Sequence, residues 1–279
     1  MKRYDINTIT EDEKLWRAAF LDQRCIFRAE VGSTSHGVTH GSNDIDQMAV
    51  YIPPLEELVN FSVSGLAPEE TFVFRPGLAA DEPSPPGSLD RTYHSLPKFM
   101  RMLAKGTPSV LYALFGANQV VVPGLGEMLV NTRGRWRSQT LQNAYLGYMQ
   151  SQRERMIGER GAAGRIRRSP EGGGEVDWKY AMHMVRLGIQ GIEYLRHGVI
   201  SAPSLERDLL LSIRNGAIPL DDVVKIAEAL EEQLSAIEGL PERPEYTEDQ
   251  ISTDVTRMIE TFEKCSLRGI FLDIEAVWR

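Results

Sequence analysis

The sequence predicts an α+β protein, with a small mixed β-sheet and its helices followed by an all-helical domain. Short β-prone runs are confined to the first part of the chain, and beyond about residue 124 the apolar spacing is almost wholly helical. At 279 residues the chain also exceeds the usual size of one domain, which favours two units, 1–125 and 126–279, with the boundary near 120–135.

Taken in order, Thr10-Glu11-Asp12-Glu13 has capping-box spacing, and Leu15, Trp16, Ala19 and Phe20 follow at helical intervals, which predicts a helix over 11–23. Cys25 to Val31 is short, β-prone and stopped by Gly32, and Ile45 to Ile52 reads as a second strand ended by Pro53-Pro54. Between them, Gly32-Ser33-Thr34-Ser35-His36-Gly37 is a small-residue loop opening a short helix. Thr71 to Arg75 is a third strand, Pro76 to Gly87 a proline-rich surface loop, and Leu89 to His94 a fourth strand. Ser95 caps a helix that Gly106 ends, and Pro108 starts another through Phe115. Helices are expected at 124–131, 138–158, 177–197, 203–214, 220–238 and 247–265, with a basic flexible loop near 158–176.

Bulk properties narrow the function classes. No apolar run approaches the roughly 18 residues of a membrane span, and the polar N-terminus carries no secretory signal, so a cytoplasmic protein with no membrane partner is expected. Cys25 and Cys265 are too far apart in sequence for a disulfide framework or a zinc site, which leaves two reduced thiols. A formal net charge of -8 excludes coating of nucleic acid by a general positive field. Yet nine arginines between Arg133 and Arg168 stand against Glu154 and Glu159, while Asp221 to Glu263 is dominated by acids. Such asymmetry fits either a local phosphate-binding surface or a solvated basic loop.

The chemistry centres on Gly32-Ser33, a ten-residue spacer, then Asp44-Ile45-Asp46. Side chains alternate along a strand, so Asp44 and Asp46 point to one face and can clamp a hard cation. Mg²⁺, with Mn²⁺ as an alternative, takes one or two carboxylates and fills its other positions with water and substrate phosphate. The Gly32-Ser33 turn offers backbone N–H groups and a hydroxyl suited to the β- and γ-phosphates of a nucleoside triphosphate. An isolated Asp-x-Asp is more often a solvated strand end; here the pair sits between a Gly-Ser turn and the apolar run Met48-Ala49-Val50-Tyr51-Ile52.

Farther along, Lys179, His183, Arg186 and Gln190 recur on one side of a helix, as a phosphate-binding stripe or an exposed polar face. His36 and His40 flank the Gly-Ser loop with no third metal ligand nearby, and read as solvated loop histidines. Trp136, Tyr145 and Tyr148 have the spacing of core residues, with base stacking the alternative.

Gly-Ser, this spacer and Asp-x-Asp resemble the core of the polymerase-beta nucleotidyltransferase superfamily. The further run through Val50-Tyr51-Ile52-Pro53-Pro54, Tyr93-His94-Ser95-Leu96-Pro97-Lys98-Phe99 and Gly106-Thr107-Pro108-Ser109-Val110-Leu111 is similar to predicted nucleotidyltransferases of bacteria and phages associated with RNA-repair ligases. Lys179-x-x-x-His183-x-x-Arg186 and Ile213-Arg214-Asn215-Gly216 match later segments of that family, so the similarity spans roughly 25–225. The chain departs from it at Thr107-Pro108 and Tyr112, where Asn-Pro and a Glu are common.

The resemblance implies a nucleotidyltransferase fold and a two-metal, Mg²⁺-dependent transfer of a nucleoside monophosphate from a triphosphate to a hydroxyl, releasing pyrophosphate. In that frame Asp44, Asp46 and Asp90 are the catalytic, metal-binding carboxylates, with Asp90 otherwise a loop acid. Gly32, Ser33, Lys179, His183 and Arg186 bind the nucleotide. RNA or DNA ends are the expected acceptors. Nucleotidylation of a protein or small molecule, and a non-catalytic nucleotide-binding module, are the alternatives.

Overall fold

The computed structural model describes residues 10–39, 44–55, 71–77, 87–157 and 176–267. Of the loops predicted at 76–87 and near 158–176, residues 78–86 and 158–175 lie outside the described residues, as does His40. The chain opens with α1 (Glu11–Gln23), fastened by the predicted capping box: the Glu13 N–H donates to Thr10 Oγ1 and the Thr10 N–H donates to the Glu13 carboxylate at 2.7 Å. Then come β1 (Cys25–Val31), α2 (Gly32–His36), β2 (Ile45–Tyr51), β3 (Thr71–Phe74) and β4 (Leu89–Ser95). Ser95 accepts from the Lys98 N–H to start α3 (Leu96–Ala104), and Pro108 opens α4 (Pro108–Ala113).

One element was not anticipated: β5 (Ala117–Val121) pairs antiparallel with β1 at the sheet edge. Its Ala-Asn-Gln start lacks β-branched residues, and Asn118 sits at a positive φ of 46°, so the strand owes its existence to pairing rather than propensity. The sheet order is β3-β4-β2-β1-β5, and β2 and β4 are parallel while the other neighbours are antiparallel. The α+β class therefore holds, with a mixed five-stranded sheet.

Alternation along β2 decides which side of the sheet does what. Met48 and Val50 face the large core, whereas Ala49 and Tyr51 face a smaller cluster with Ala18 and Leu21 of α1. Asp46 shares the Met48 face and so points away from α1. Helices α5 (Leu125–Val130), α6 (Gln139–Met156), α7 (Trp178–His197), α8 (Arg207–Arg214), α9 (Leu220–Ser235) and α10 (Glu248–Leu267) complete the chain. The large core runs without a break from Ile26 on β1 to Phe262 on α10, so the sheet and the later helices share one interior.

Small residues set the spacing within the helical half. A Cβ on Gly188 would lie 2.9 Å from both Leu230 and Met149, and one on Gly191 would lie 2.9 Å from the Tyr145 ring, so α7 packs tightly against α6 and α9. Trp136 and Tyr145 are fully buried here, as core spacing predicts. Among the described residues no helix is long and apolar enough to cross a membrane.

Candidate active site

The parallel register of β2 and β4 sets Asp46 opposite Asp90, and paired residues of neighbouring strands point to the same face. Burial, the Asp90 charge and the Asp44 charge together push the Asp46 carboxyl above its ordinary range, and the Lys179 ammonium works the other way. The three predicted aspartates thus feel one another as a cluster of like charge. One Asp44 oxygen, Oδ1, is buried without a hydrogen-bond partner, while the Asp44 backbone carbonyl accepts from Thr34 Oγ1 of α2 at 2.9 Å.

Asp90 is engaged elsewhere. Its Oδ1 lies 3.3 Å from Nε of Arg75, just past β3. Among the described residues, no three carboxylate, His or Cys side chains already stand grouped around a metal position. The donor set still fits a hard cation. An orphaned, buried carboxylate oxygen on Asp44 and a carboxyl on Asp46 held against two like charges are both relieved by a divalent ion.

Gly32 closes the other side. It opens α2 at φ +71°, and a Cβ there would fall 2.0 Å from Asp46 Oδ2, so only glycine lets the turn meet the carboxylate. Ser33 follows as the second residue of α2.

Next to this turn opens a cavity of about 370 Å³, lined by Gly32 on one side and by Lys179, His183 and Arg186 of α7 on the other. The sequence stripe and the Gly-Ser turn, some 150 residues apart, therefore meet across one space. His36, Tyr112, Arg155, Tyr148 and Tyr180 are also among its lining residues, with the Arg155 guanidinium 5.8 Å from the Tyr180 ring centre. Tyr148, grouped by spacing with the core aromatics, is instead 43% exposed and lines this cavity.

Arg186 is the unusual member. It donates to Gln190 Oε1 at 2.7 Å and approaches His183 Nδ1 at 3.4 Å, while its Nε is buried with no partner. No carboxylate ion-pairs with it among the described residues. Burial lowers its pKa to about 10, with Tyr145 and Tyr112 nearby acting the other way. His183 is pushed down to about 3, first by burial and then by Arg186, Lys179 and Arg214, so it is neutral at physiological pH.

Two expectations need correction. His36 is not a solvated loop residue: it is 4% exposed, its ring centre lies 3.9 Å from that of Tyr112 with the planes tilted by 39°, and burial holds its pKa well below the ordinary histidine value. Residues distant in sequence enclose it, so local composition gave no sign of its burial. The arginine-rich segment is not, over its described part, an open basic surface. Arg153 pairs with Glu231 at 2.9 Å, Arg137 donates to the Leu195 carbonyl, and Arg135 lies 4.2 Å from the Tyr246 ring centre; Arg155 alone of the five described arginines lines the cavity.

Ser35 and Tyr112 went unnoticed as part of this site. Their hydroxyls are 2.7 Å apart, and Ser35 Oγ also accepts from the Ala117 N–H of β5, tying α2 to α4 and the sheet edge.

No curated protein matches the chain significantly. Among solved structures, spectinomycin adenyltransferase AAD(9) from Enterococcus faecialis, determined with ATP and spectinomycin, aligns over 91% of this chain and 98% of that one, at 11% identity and a TM-score of 0.39. The model of the RNA repair pathway DNA polymerase beta family matches residues 5–257, nearly the whole chain, and the protein belongs to that family of nucleotidyltransferases.

Proposed function

We propose that the protein transfers a nucleoside monophosphate from a nucleoside triphosphate to a hydroxyl at an RNA end, releasing pyrophosphate, in a Mg²⁺-dependent reaction. The observation that carries this reading is the pairing of Asp46 with Asp90 across β2 and β4 and the contact of Asp46 with Gly32, which itself lines a cavity holding a guanidinium with no acid partner among the described residues. Asp44 and Asp46, joined by Asp90 as it exchanges Arg75 for the ion, are the residues that would hold Mg²⁺. When bound, the metal supplies stabilisation of charge on the transferring phosphate and acidifies the attacking hydroxyl. Support for an RNA acceptor comes from the family's description, which ties it to RNA repair.

The chain's own residues bind and orient. Gly32 and Ser33 cradle the triphosphate through the backbone N–H groups of the turn, and the absence of a Cβ on Gly32 lets the turn sit against Asp46. Lys179 and Arg186 neutralise the phosphates from the opposite wall. His183, neutral, accepts from Arg186 and keeps the guanidinium aimed rather than adding charge. The rim aromatics Tyr148 and Tyr180 offer faces against which a base can stack.

The test is to incubate the full chain with each labelled triphosphate and Mg²⁺ or Mn²⁺, offering RNA ends, DNA ends and protein as acceptors. Label should move to RNA ends, and Asp44→Asn should abolish it with little change in the thermal melt. Label moving only to protein, or an Asp44→Asn variant with full activity, would refute the proposal.

A further inference from the structure

The hydrogen bonds around Arg186 have a fixed direction. A guanidinium only donates, so Gln190 must turn its carbonyl oxygen toward Arg186, at 2.7 Å. The amide nitrogen of Gln190 is thereby left facing Nδ1 of His36, at 3.2 Å. An amide NH₂ only donates, so His36 Nδ1 must accept and the ring proton sits on Nε2. His183 is fixed in the same way, since its Nδ1 faces an Arg186 nitrogen.

Arg186 is thus held by an amide and an imidazole, with a second imidazole behind the amide. Each is neutral. A carboxylate in Gln190's place would position the guanidinium equally well, but it would cancel the charge that an incoming anion needs. A buried cation without an acid partner costs stability in the free protein, and a bound phosphate relieves that cost. His36 also belongs to α2, the helix that begins at Gly32 and Ser33. The chain from His36 through Gln190 to Arg186 therefore links the turn on the carboxylate side to the cation on α7.

We propose that His36 is a positioning residue: acting through Gln190, it holds Arg186, a guanidinium with no acid partner among the described residues, in register with the Gly32-Ser33 turn, so that both engage one polyphosphate. This rests on the triphosphate reading above.

The test uses the full chain with Mg²⁺ and inorganic tripolyphosphate as probe, titrated by calorimetry. Arg186→Gln should weaken binding at least tenfold. Loss of the acceptor in His36→Leu should weaken it about fivefold, the equivalent of one hydrogen bond. His36→Asn, whose side-chain oxygen occupies the place of Nδ1, should stay within about twofold of the wild type. If tripolyphosphate does not bind the wild type, or Arg186→Gln binds unchanged, the triphosphate reading fails and the positioning role with it. If Arg186→Gln weakens binding but a folded His36→Leu does not, or His36→Asn binds no better than His36→Leu, only the positioning role is overturned. Nitrogen NMR of wild-type His36 decides the matter should His36→Leu not fold. An unprotonated Nδ1 with the proton on Nε2 supports the role, and a protonated Nδ1 overturns it.

Discussion

Gly32 and Asp46 meet so closely that the space for a single methyl group at Gly32 is already filled by the Asp46 carboxylate. The contact joins the turn between β1 and α2 to the start of β2, where Asp46 pairs with Asp90 of β4, and it makes the smallest possible substitution severe. Gly32→Ala must either push Asp46 aside or open the turn, and its φ of +71° adds about 1–2 kcal/mol for any residue with a Cβ. We expect about a hundredfold loss in single-turnover transfer, the usual result of misplacing a reacting group by about 1 Å. Single-turnover kinetics beside a thermal melt check this, and near-normal rates would show that the turn does not position Asp46.

Asp46→Asn should separate stability from function. The folded-state pKa of Asp46 is raised, by burial first and by Asp90 and Asp44 next, so ionising it opposes folding. The sign follows: its contribution favours the fold below the unfolded carboxylate pKa and is lost as pH rises through the raised folded value. At neutral pH without divalent ions, the uncharged amide should therefore melt a few degrees higher than the wild type, while transfer is abolished. Mg²⁺ should then raise the wild-type melting temperature and leave the variant's unchanged. A variant that melts lower than the wild type in metal-free buffer contradicts this electrostatic account.

Arg75 competes for Asp90. Both side chains are partly buried, at 16% and 23% exposure, and their contact is 3.3 Å. Removing the guanidinium in Arg75→Gln takes away this contact, and if Asp90 serves the metal as proposed, the Mg²⁺ concentration giving half-maximal activity should fall about two- to fivefold, in keeping with a partly exposed ion pair. A metal titration measures it. An unchanged or higher requirement would mean that Arg75 does not compete with the ion.

How much of this was legible depends on how local the determinant is. The capping box at Thr10, the strands holding Asp46 and Asp90, and the helix carrying Lys179, His183 and Arg186 all follow from spacing within one element. That β2 and β4 run parallel with Asp46 opposite Asp90 is a tertiary fact, as is the capture of Asp90 by Arg75 through the β3–β4 pairing. The burial of His36 depends on Tyr112 and Gln190, far along the chain, and local sequence made it look like an ordinary loop histidine. The pairing of Arg153 was hidden for the same reason: its partner Glu231 lies on α9, 78 residues away.

The buried histidines lower the stability of the fold in acid, because burial opposes their charging. His183 has a folded-state pKa of about 3, below its ordinary 6.5, because burial and three neighbouring cations oppose its charging. Between those values the unfolded chain takes up a proton that the folded chain refuses. Stability is therefore complete above about 6.5 and declines as pH falls toward the folded value, by up to about one proton per site. His36 acts in the same direction. His183→Gln, which keeps an acceptor for Arg186 but cannot ionise, should flatten that decline by up to one proton in denaturant melts between pH 4 and about 6.5. Because the His183 ring is already neutral at pH 7, His183→Gln should not remove a limb near pH 6.5 from the rate profile. A limb that disappears with His183→Gln would mean that His183 ionises during turnover and acts as an acid or base, not as a neutral acceptor.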